Sequence, residues 1–538
     1  MKFDNVLAEV NGFGKFQIRT ILLMVIPRMT LPFHFLLNNF IAVIPSHHCD
    51  ISSLDDGGLF RNLSQAERLV VSIPVQEDGT PDSCLMFAEP QYQLLLNSSN
   101  TTELPTVPCQ NGWVYDNTTF KSSLATEWDL VCDKRGVNKA MATVFFMGVM
   151  VGAAVFGYLS DRFGRKIMLL VSYITTALFG FASAFSYNFA MFAAMRFLTG
   201  FGTAGISLIS IVFCIEWVDI KHRSTVATLM SMDWSVFSML LPVVAYFVTD
   251  WRYLVATVTA PLLLATIISW WVPESARWLI SNGKINRARF YLTKCAKVNG
   301  REHFIADLKP ELLSKVIIVE NENRKYSYLD LVRTPRMRRL ALITGILWFG
   351  LAFTYYGISL NIGEIGVNIY LTQFIYGISE IPAKASILLT LNRIGRRWNQ
   401  AGALILSGMC LFCNMFVPQD MGPFRVALGA LGKMFAETSF TIVYLYTSEL
   451  YPTVLRQNGF GFCQFMARMG VSVSPLVILL GDVWGHLPST IYSLMAVVAG
   501  LSASLLPETT NIRLPETIED VEDTRRRSIS TSDEKSQP

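Results

Sequence analysis

The chain has 538 residues, of which 51% are hydrophobic and 16% carry a charge, and its mean hydropathy is +0.38. Soluble domains carry about 25% charged residues, so the composition excludes an ordinary soluble domain and indicates a membrane protein. The formal net charge of +4 decides little, because the positions of the charges matter more than their sum. The first residues, MKFDNVLAEVNGFGKFQIR, are polar and do not have the pattern of a cleavable signal peptide.

Twelve apolar runs are long enough to cross a bilayer, and because a backbone in lipid must satisfy its own hydrogen bonds, we predict helices. They lie near 18–44, 138–158, 167–186, 189–212, 225–248, 251–272, 339–361, 367–390, 398–416, 422–446, 455–480 and 487–506. The predicted divisions are an N-terminus at 1–17, helix 1 at 18–44, a first loop at 45–137, helices 2–6 at 138–272, a central loop at 273–338, helices 7–12 at 339–506 and a tail at 507–538. The predicted fold is therefore an all-α membrane protein.

A set of charged motifs occurs twice at a nearly constant offset, each time beside apolar runs. The matching pairs are Asp161–Lys166 with Asn392–Arg397, Glu216 with Glu449, Arg223 with Arg456, and Pro273–Ser275 with Pro507–Thr509. Such repetition indicates two copies of one six-helix unit in the same orientation, which is the plan of a large class of transporters.

The first loop has the features of a segment in an oxidising compartment. It contains four cysteines, Cys49, Cys84, Cys109 and Cys132, and four Asn-x-Ser/Thr sequons, at Asn62, Asn97, Asn100 and Asn117. Four cysteines beside sequons predict two disulfides, with three pairings possible, and glycosylation.

The central loop is basic, and so are the short stretches 162–166, 221–223 and 393–397, which lie on the same side if the spans alternate. The positive-inside rule places these loops and both termini in the cytosol. The cysteine loop then falls outside the cell, so two independent signals predict one orientation in the plasma membrane.

Ionisable residues within the spans are candidate functional groups, since each costs at least a few kcal/mol in lipid unless it faces a partner or water. Arg468 lies in the eleventh span, and Lys384 lies in the eighth, on one helical face with Gln373 and Glu380. Two such cations would attract an organic anion, the arginine by two parallel hydrogen bonds and the lysine as a point charge.

Structural roles are the alternative for these cations. Lys384 could form a helical salt bridge to Glu380, and Arg468 could pair with Asp233 or Glu437. We interpret Arg196 and Lys433, which occupy matching places in the two halves, as structural.

Aromatic residues supply the apolar walls that a small amphipathic ligand needs, although ordinary helix packing is the alternative for any one of them. The candidates are Trp234, Trp348, Tyr355, Tyr356, Phe440 and Tyr444. His34 and Asn39 are polar where a lipid-facing helix would not place them, so both are candidates for the same cavity.

The sequence offers no motif for an enzyme. It lacks a Gly-x-x-x-x-Gly-Lys-Ser/Thr stretch for ATP and an HExxH metal motif, and the stretch 157–164 is not a dinucleotide fingerprint. The stretch 47–49, His-His-Cys, lies at the edge of the predicted disulfide loop, so we expect neither a metal nor a cofactor.

Several motifs resemble a known family. Gly157–Lys166 is similar to the loop signature of the major facilitator superfamily. The stretches Thr126–Cys132, Pro273–Trp278, Glu449–Arg456 and Leu506–Thr509 resemble the organic ion transporter family within it, and the resemblance covers nearly the whole chain. The anion branch carries arginine in the eleventh helix where the cation branch carries aspartate, and this position is Arg468.

The resemblance implies a twelve-helix carrier that moves organic anions by alternating access, often in exchange for a dicarboxylate. It implies a binding site formed by His34, Asn39, Trp234, Trp348, Tyr355, Tyr356, Glu380, Lys384, Phe440, Tyr444 and Arg468. The implied partners are small organic anions, a counter-transported dicarboxylate and membrane lipid, with no nucleic acid.

The repeated cytosolic motifs predict ion pairs between the two halves that latch the outward-open state and part in the inward-open state. The residues of this predicted latch are Asp161, Arg162, Arg165, Glu216, Arg223, Asn392, Glu449 and Arg456. The chain departs from the family by placing Asp233 beside Trp234, where an extra carboxylate could admit zwitterions or cations. An organic cation or zwitterion carrier, a receptor or scaffold that binds a protein through the first loop, and a membrane-embedded enzyme are the alternative functions.

Overall fold

The computed structural model describes residues 3–55, 58–76, 79–96, 104–302, 328–362, 368–418, 420–452, 454–510, 515 and 518–522. The predicted sequons Asn97 and Asn100 lie outside the described residues.

Long helices dominate the described chain, and we label twelve of them α1–α12. Their bounds are α1 Lys15–Leu36, α2 Arg135–Phe163, α3 Arg165–Ala184, α4 Phe189–Glu216, α5 Arg223–Phe247, α6 Trp251–Ile268, α7 Pro335–Leu360, α8 Ile369–Ile394, α9 Arg396–Met415, α10 Gly422–Leu450, α11 Arg456–Val477 and α12 Leu487–Ser504. Ten of the described helices are long and apolar enough to cross a membrane, and α8 and α9 complete the set of twelve long helices. Helix α6 is interrupted at Ala260, where Pro261 starts its second segment.

The first predicted span, 18–44, differs from the observed helix. Helix α1 begins at Lys15 and ends at Leu36, and a short helix, Asn38–Ile41, follows it. The apolar run continues past the end of α1 because Leu37 and Ile41 are fully buried in the protein. Hydropathy reports burial as well as helix length, so the predicted span was too long at this end.

The polar N-terminus also contains a short helix, Phe3–Glu9, whose Phe3, Val6 and Leu7 are buried. This spacing places the three side chains on one helical face. The segment therefore packs against the protein instead of extending into solvent.

Helices α1–α6 form the first half and α7–α12 the second. Within the first half, glycines let helices approach closely: a Cβ at Gly148 or Gly152 of α2 would collide with the carbonyl oxygens of Phe197 and Phe201 on α4. Small residues at such positions are typical of packed membrane helices, because close backbone contact replaces the hydrophobic driving force.

The long first loop forms a small, cross-linked module. Strand β1, His47–Cys49, pairs with β4, Trp113–Tyr115, and β2, Leu85–Phe87, pairs with β3, Thr106–Pro108, both antiparallel. The disulfides join Cys49 to Cys109 and Cys84 to Cys132, which selects one of the three pairings left open by the sequence. The described sequon asparagines, Asn62 and Asn117, are exposed.

The alternation of the helices gives the molecule two ends. We call the end that bears the first loop the disulfide side, and the end that bears the repeated charged motifs the motif side. Helix α1 starts at the motif side, and α2 returns to it from the disulfide side, where Arg135 begins that helix.

Candidate functional site

Two buried ion pairs join α8 to α10 in the middle of the second half. Lys384 Nζ lies 3.2 Å from Glu437 Oε1, and Lys433 Nζ lies 3.2 Å from Glu380 Oε1. The side chains of Lys433 and Glu380 are fully buried, and that of Lys384 is nearly so. The helical salt bridge from Lys384 to Glu380 that the sequence allowed is replaced by this crossed pairing, since the helix packing brings each lysine to the acid on the neighbouring helix.

The same ion pairs are bonded to the first half of the molecule. Lys384 Nζ donates to the carbonyl oxygen of Ser231 and to Oγ of Ser235, both on α5, at 2.6 Å each. Ser235 Oγ donates to Glu380 Oε2 at 2.7 Å, and the hydroxyl of Tyr355 donates to Glu380 Oε1 at 2.7 Å. The buried charges therefore form one polar network that crosses the boundary between the halves.

Asp233, the unusual acid beside Trp234, has a partner in the first half. Arg28 of α1 binds it with two parallel hydrogen bonds, Nε to Oδ2 at 2.5 Å and NH2 to Oδ1 at 2.9 Å. Arg28 also donates to Oγ of Ser210 and to the carbonyl oxygen of Met230. Asp233 is thus neutralised within its own half, and the sequence alternative that pairs it with Arg468 is not the observed arrangement.

Arg468 differs from the other interior cations. Its guanidinium lies 5.8 Å from the centre of the Phe35 ring, and the residue is only partly buried. Among the residues that the structure describes, no carboxylate forms an ion pair with it. Arg468 therefore keeps an uncompensated positive charge between the halves.

Arg196 occupies a different environment. Its side chain is 1% exposed, stacks 4.6 Å from the Phe145 ring centre, and lies 3.2 Å from Nδ1 of His34. His34 Nε2 in turn lies 3.5 Å from the hydroxyl of Thr259 on α6. These contacts keep Arg196 and the predicted site residue His34 inside the first half.

The predicted aromatic residues form a continuous row of rings. Neighbouring rings contact one another from Tyr444 through Trp348, Phe440, Tyr355, Tyr356 and Phe35 to Trp234, with centroid distances of 4.8 to 6.4 Å. Trp234 Nε1 also donates to the hydroxyl of Tyr355 at 3.1 Å, across the boundary between the halves. Tyr444 is 47% exposed, so one end of the row is open.

The structure thus brings together most of the predicted site. Nine of its eleven residues belong to the aromatic row, the buried ion pairs or the Arg468 contact, the exceptions being His34 and Asn39. Asn39 lies at the disulfide side, where its Nδ2 donates to the carbonyl oxygen of Ser359 at 2.8 Å and to Oε1 of Gln373 at 3.1 Å.

Sequence reasoning missed three residues of the site: Arg28, Phe35 and Ser235. Arg28 carried a usable signal, since it is an ionisable residue within an apolar span, the same criterion that identified Lys384 and Arg468. Phe35 and Ser235 carried none, because a phenylalanine or a serine in a membrane helix is common in any packing role.

On the motif side, each half has its own charge cluster. Arg165 donates to Glu216 at 3.0 Å and to Asp161 at 2.5 Å in the first half. Arg396 lies 3.2 Å from Glu449 in the second. Arg223 donates to the carbonyl oxygen of Val218, and the side chain of Asn392 lies outside what the structure describes. The described pairs among these motifs join residues of one half. The sequence predicted pairs between the halves in the outward-open state, and that latch stays a prediction.

The repeated Pro-Glu motifs cap helices. Oε1 of Glu274 accepts from the backbone N–H groups of Arg165 and Lys166 at the start of α3, at 3.0 and 3.1 Å. Glu508 accepts from the N–H groups of Arg396 and Arg397 at the start of α9, at 2.9 and 3.1 Å. Each carboxylate satisfies donors that a helix leaves unpaired and opposes the positive end of the helix dipole.

The two capping carboxylates titrate differently. Burial raises the pKa of Glu274, against the backbone hydrogen bonds that it accepts. Burial acts in the same direction on Glu508, but hydrogen bonds from the Thr510 hydroxyl and from three backbone N–H groups outweigh it and lower the pKa of that carboxyl. The second cap is therefore the more firmly ionised.

Two six-helix halves that meet around buried charges and an open row of aromatic rings define a membrane transporter with the major facilitator fold. The fold is shared with the inward-open xylose transporter XylE of E. coli, which matches 94% of this chain and 99% of its own with a TM-score of 0.61 at 17% identity.

Residues 113–520 match the sugar (and other) transporter family. Solute carrier family 22 member 7 of Bos taurus is 44% identical over 100% of this chain and 99% of its own length. The Homo sapiens protein of the same name is 44% identical over 99% of this chain and 98% of its own length. Solute carrier family 22 member 6-A of Xenopus laevis is 39% identical over 97% of this chain and 94% of its own length. The chain therefore belongs to the sugar (and other) transporter family and, within it, to solute carrier family 22.

Proposed function

We propose that this protein is a plasma-membrane carrier of small organic anions that works by alternating access. The observation that carries the proposal is the pairing of the interior charges. Asp233, Glu380 and Glu437, the three acids on which a cation carrier would depend, each lie beside a basic partner. Arg468 has no such acid among the described residues, so the charge that remains at the aromatic row is positive.

The geometry suits a ligand that combines a ring with a carboxylate or an equivalent anionic group. The guanidinium of Arg468 is a planar donor that matches a carboxylate with two hydrogen bonds. Phe35 lies beneath it and contacts Tyr356 and Trp234, so a ligand ring bound through its anionic group would meet aromatic walls. Pockets of this type, apolar with few charged groups, bind small amphipathic molecules.

The proposed substrate class follows from a resemblance in the sequence. The segments 326–335 and 514–522 resemble organic anion transporter 2. The proposed substrates are those associated with that group: urate, orotate, cyclic GMP, prostaglandins and salicylate-like compounds. We propose exchange against a dicarboxylate as the coupling mode.

The proposed orientation places the disulfide side outside the cell and the motif side in the cytosol. Disulfides persist in oxidising compartments, and the basic loops follow the positive-inside rule. Contacts between the halves, such as Asn39 with Ser359, lie in the middle and at the disulfide side, whereas Tyr444 near the motif side is exposed. These observations support our assignment of the structure to the inward-open state of the proposed cycle.

Uptake into cells that express the protein tests the proposal. Labelled urate, orotate and cyclic GMP are compared with a labelled organic cation, in the wild type and in Arg468→Ala at equal surface expression. We expect saturable anion uptake that collapses in the variant. Cation uptake that persists in Arg468→Ala, with no anion uptake in the wild type, would contradict the anion assignment and favour a cation carrier.

A further inference from the structure

A cavity lined by both polar and apolar residues lies at the disulfide side, beside the contact of Asn39 with the second half. Its volume is about 290 Å³, and residues of both halves line it, including Arg135, Asn138 and Asn39 from the first half and Asn361 from the second. Asn39 connects the cavity to the contact, because its amide donates to Ser359 and Gln373 of the second half. We call this space the outer vestibule.

Two basic residues line the outer vestibule. Arg135 and Lys139 line it one helical turn apart on α2, a spacing that places both on the same face of the helix. None of the described residues that line it is acidic. A neighbouring cavity of about 340 Å³ shares Arg135, Lys139 and Asn361 and adds Arg425, so the basic character extends beyond the first cavity.

The outer vestibule also contains amide oxygens that accept no hydrogen bond from the described residues. They are the buried side-chain oxygens of Asn38, Asn138 and Asn361. Buried polar atoms are normally paired, so acceptors of this kind in a lined cavity match a ligand or water that donates to them. Cations together with open amide oxygens are complementary to an anion that carries N–H or O–H groups.

We propose that the outer vestibule is a second binding site, which holds an organic anion with hydrogen-bond donors before the central site becomes accessible from outside. The inference rests on the proposed function and its orientation, and it deepens them by adding an external recognition step. Arg135 and Lys139 would attract the anionic group, since clustered charge in a cleft raises the local concentration of an oppositely charged ligand. Asn138 and Asn361 would accept its hydrogen bonds.

A binding test that does not require transport uses Ile44→Cys, a cysteine introduced into the vestibule lining, in the full chain at the cell surface. A membrane-impermeant maleimide labels the cysteine, and external urate, which has ring N–H donors, is added as protectant. We expect urate to slow the labelling at lower concentration than benzoate, which has the same charge without N–H groups, and tetraethylammonium to give no protection. Ser46→Cys, exposed on the same side but not part of the cavity lining, is the matched control.

Two further variants assign the protection to this site. In the double variant Arg135→Ala and Lys139→Ala, we expect the urate concentration needed for protection to rise by about tenfold, whereas it should remain unchanged in Arg468→Ala. Protection that survives the double variant, or that disappears in Arg468→Ala, would overturn the second site. Loss of protection in Arg468→Ala would mean that urate acts through the central anion site alone. Failure of the anion-carrier proposal is a different result, namely no urate uptake by the wild type.

Discussion

The neighbours of Lys384 decide whether its ammonium group can bind a ligand. An ammonium group has three N–H donors. In this protein they face Glu437, the carbonyl oxygen of Ser231 and the hydroxyl of Ser235, so the group is already saturated. The geometry therefore favours the structural alternative for Lys384 and leaves Arg468 as the cation with capacity for a ligand.

Replacing Lys384 with Met should destabilise the protein, because it leaves Glu437 buried without its cation. Removal of one partner of a buried pair costs about 3–5 kcal/mol, whereas replacing both partners with apolar residues is often close to neutral. We expect thermal unfolding of the purified protein to show a lower midpoint for Lys384→Met and substantial recovery in the double variant with Glu437→Leu. A single variant as stable as the wild type that has lost anion binding would instead assign Lys384 to the ligand.

The partners of Glu380 and Lys384 could not be predicted from the sequence. Spacing along a helix correctly placed Glu380 and Lys384 on one face, and it left a salt bridge between them open as an alternative. The observed partners are one helix away, because the packing of α8 against α10 sets the distances. Pairing among several buried charges is a tertiary property, and no periodicity within one helix encodes it.

At the scale of elements, the repeated motifs proved to be helix-capping devices as well as charge clusters. Gly164 and Gly395 precede α3 and α9 with φ values of 108° and 89°, a conformation that side chains rarely adopt. Each glycine lets the chain turn sharply so that a distant carboxylate, Glu274 or Glu508, reaches the exposed N–H groups of the next helix. The sequence showed that the motifs repeat, but the distance along the chain between glycine and glutamate hid this contact.

Replacing Glu508 with Gln should weaken the start of α9 at neutral pH by about 0.5–2 kcal/mol, the range for loss of a helix cap. The pKa of Glu508 is lower in the folded protein than in an unfolded chain, so its stabilising effect is present above the unfolded pKa. This effect is lost as the pH falls through the lowered, folded pKa. Thermal unfolding midpoints measured against pH should therefore differ between wild type and variant at neutral pH and converge in acid. The exposed Glu519→Gln serves as the control, and a difference that persists in acid would contradict the capping role.

Hydropathy predicted the number and order of the long helices but not all of their ends. The prediction that the first loop forms two disulfides is confirmed, whereas their pairing required the strands that place Cys49 near Cys109. Glycosylation of the loop remains a prediction.

At the scale of the whole molecule, the two halves are held together in the middle and at the disulfide side. At the disulfide side, Asn39 donates two hydrogen bonds to the second half. In the middle, Ser235 of the first half donates a hydrogen bond to Glu380 of the second. Alternating access requires that the contacts at the disulfide side break while contacts at the motif side form. On the motif side, the described ion pairs of Arg165 with Asp161 and Glu216, and of Arg396 with Glu449, each lie within one half. The role of the latch residues in the opposite state remains a prediction.

Replacing Asn39 with Ala should shift the molecule toward the state that is open at the disulfide side. Two lost hydrogen bonds at about 0.5–1.5 kcal/mol each correspond to a change of about fivefold or more in the population ratio. The measurement is the rate at which a thiol reagent labels Tyr444→Cys from the motif side in inside-out vesicles, and we expect that rate to fall. Asn188→Ala is a suitable control, because Asn188 is exposed and its side chain accepts from the N–H group of Met191 at the start of α4, within the first half. An unchanged rate in Asn39→Ala would show that Asn39 does not hold the halves closed.

We propose that an organic anion binds between the halves through Arg468, and equilibrium binding of labelled urate to the purified protein tests this proposal. A hydrogen bond to a charged group contributes about 1.5–3 kcal/mol, so Arg468→Gln should weaken binding by at least about tenfold. Arg468→Lys keeps the charge but loses the planar guanidinium group, so its affinity for urate should lie between those of the wild type and Arg468→Gln. The exposed Arg338→Gln should bind urate like the wild type. Urate binding of wild-type strength in Arg468→Gln would show that Arg468 does not bind the anion.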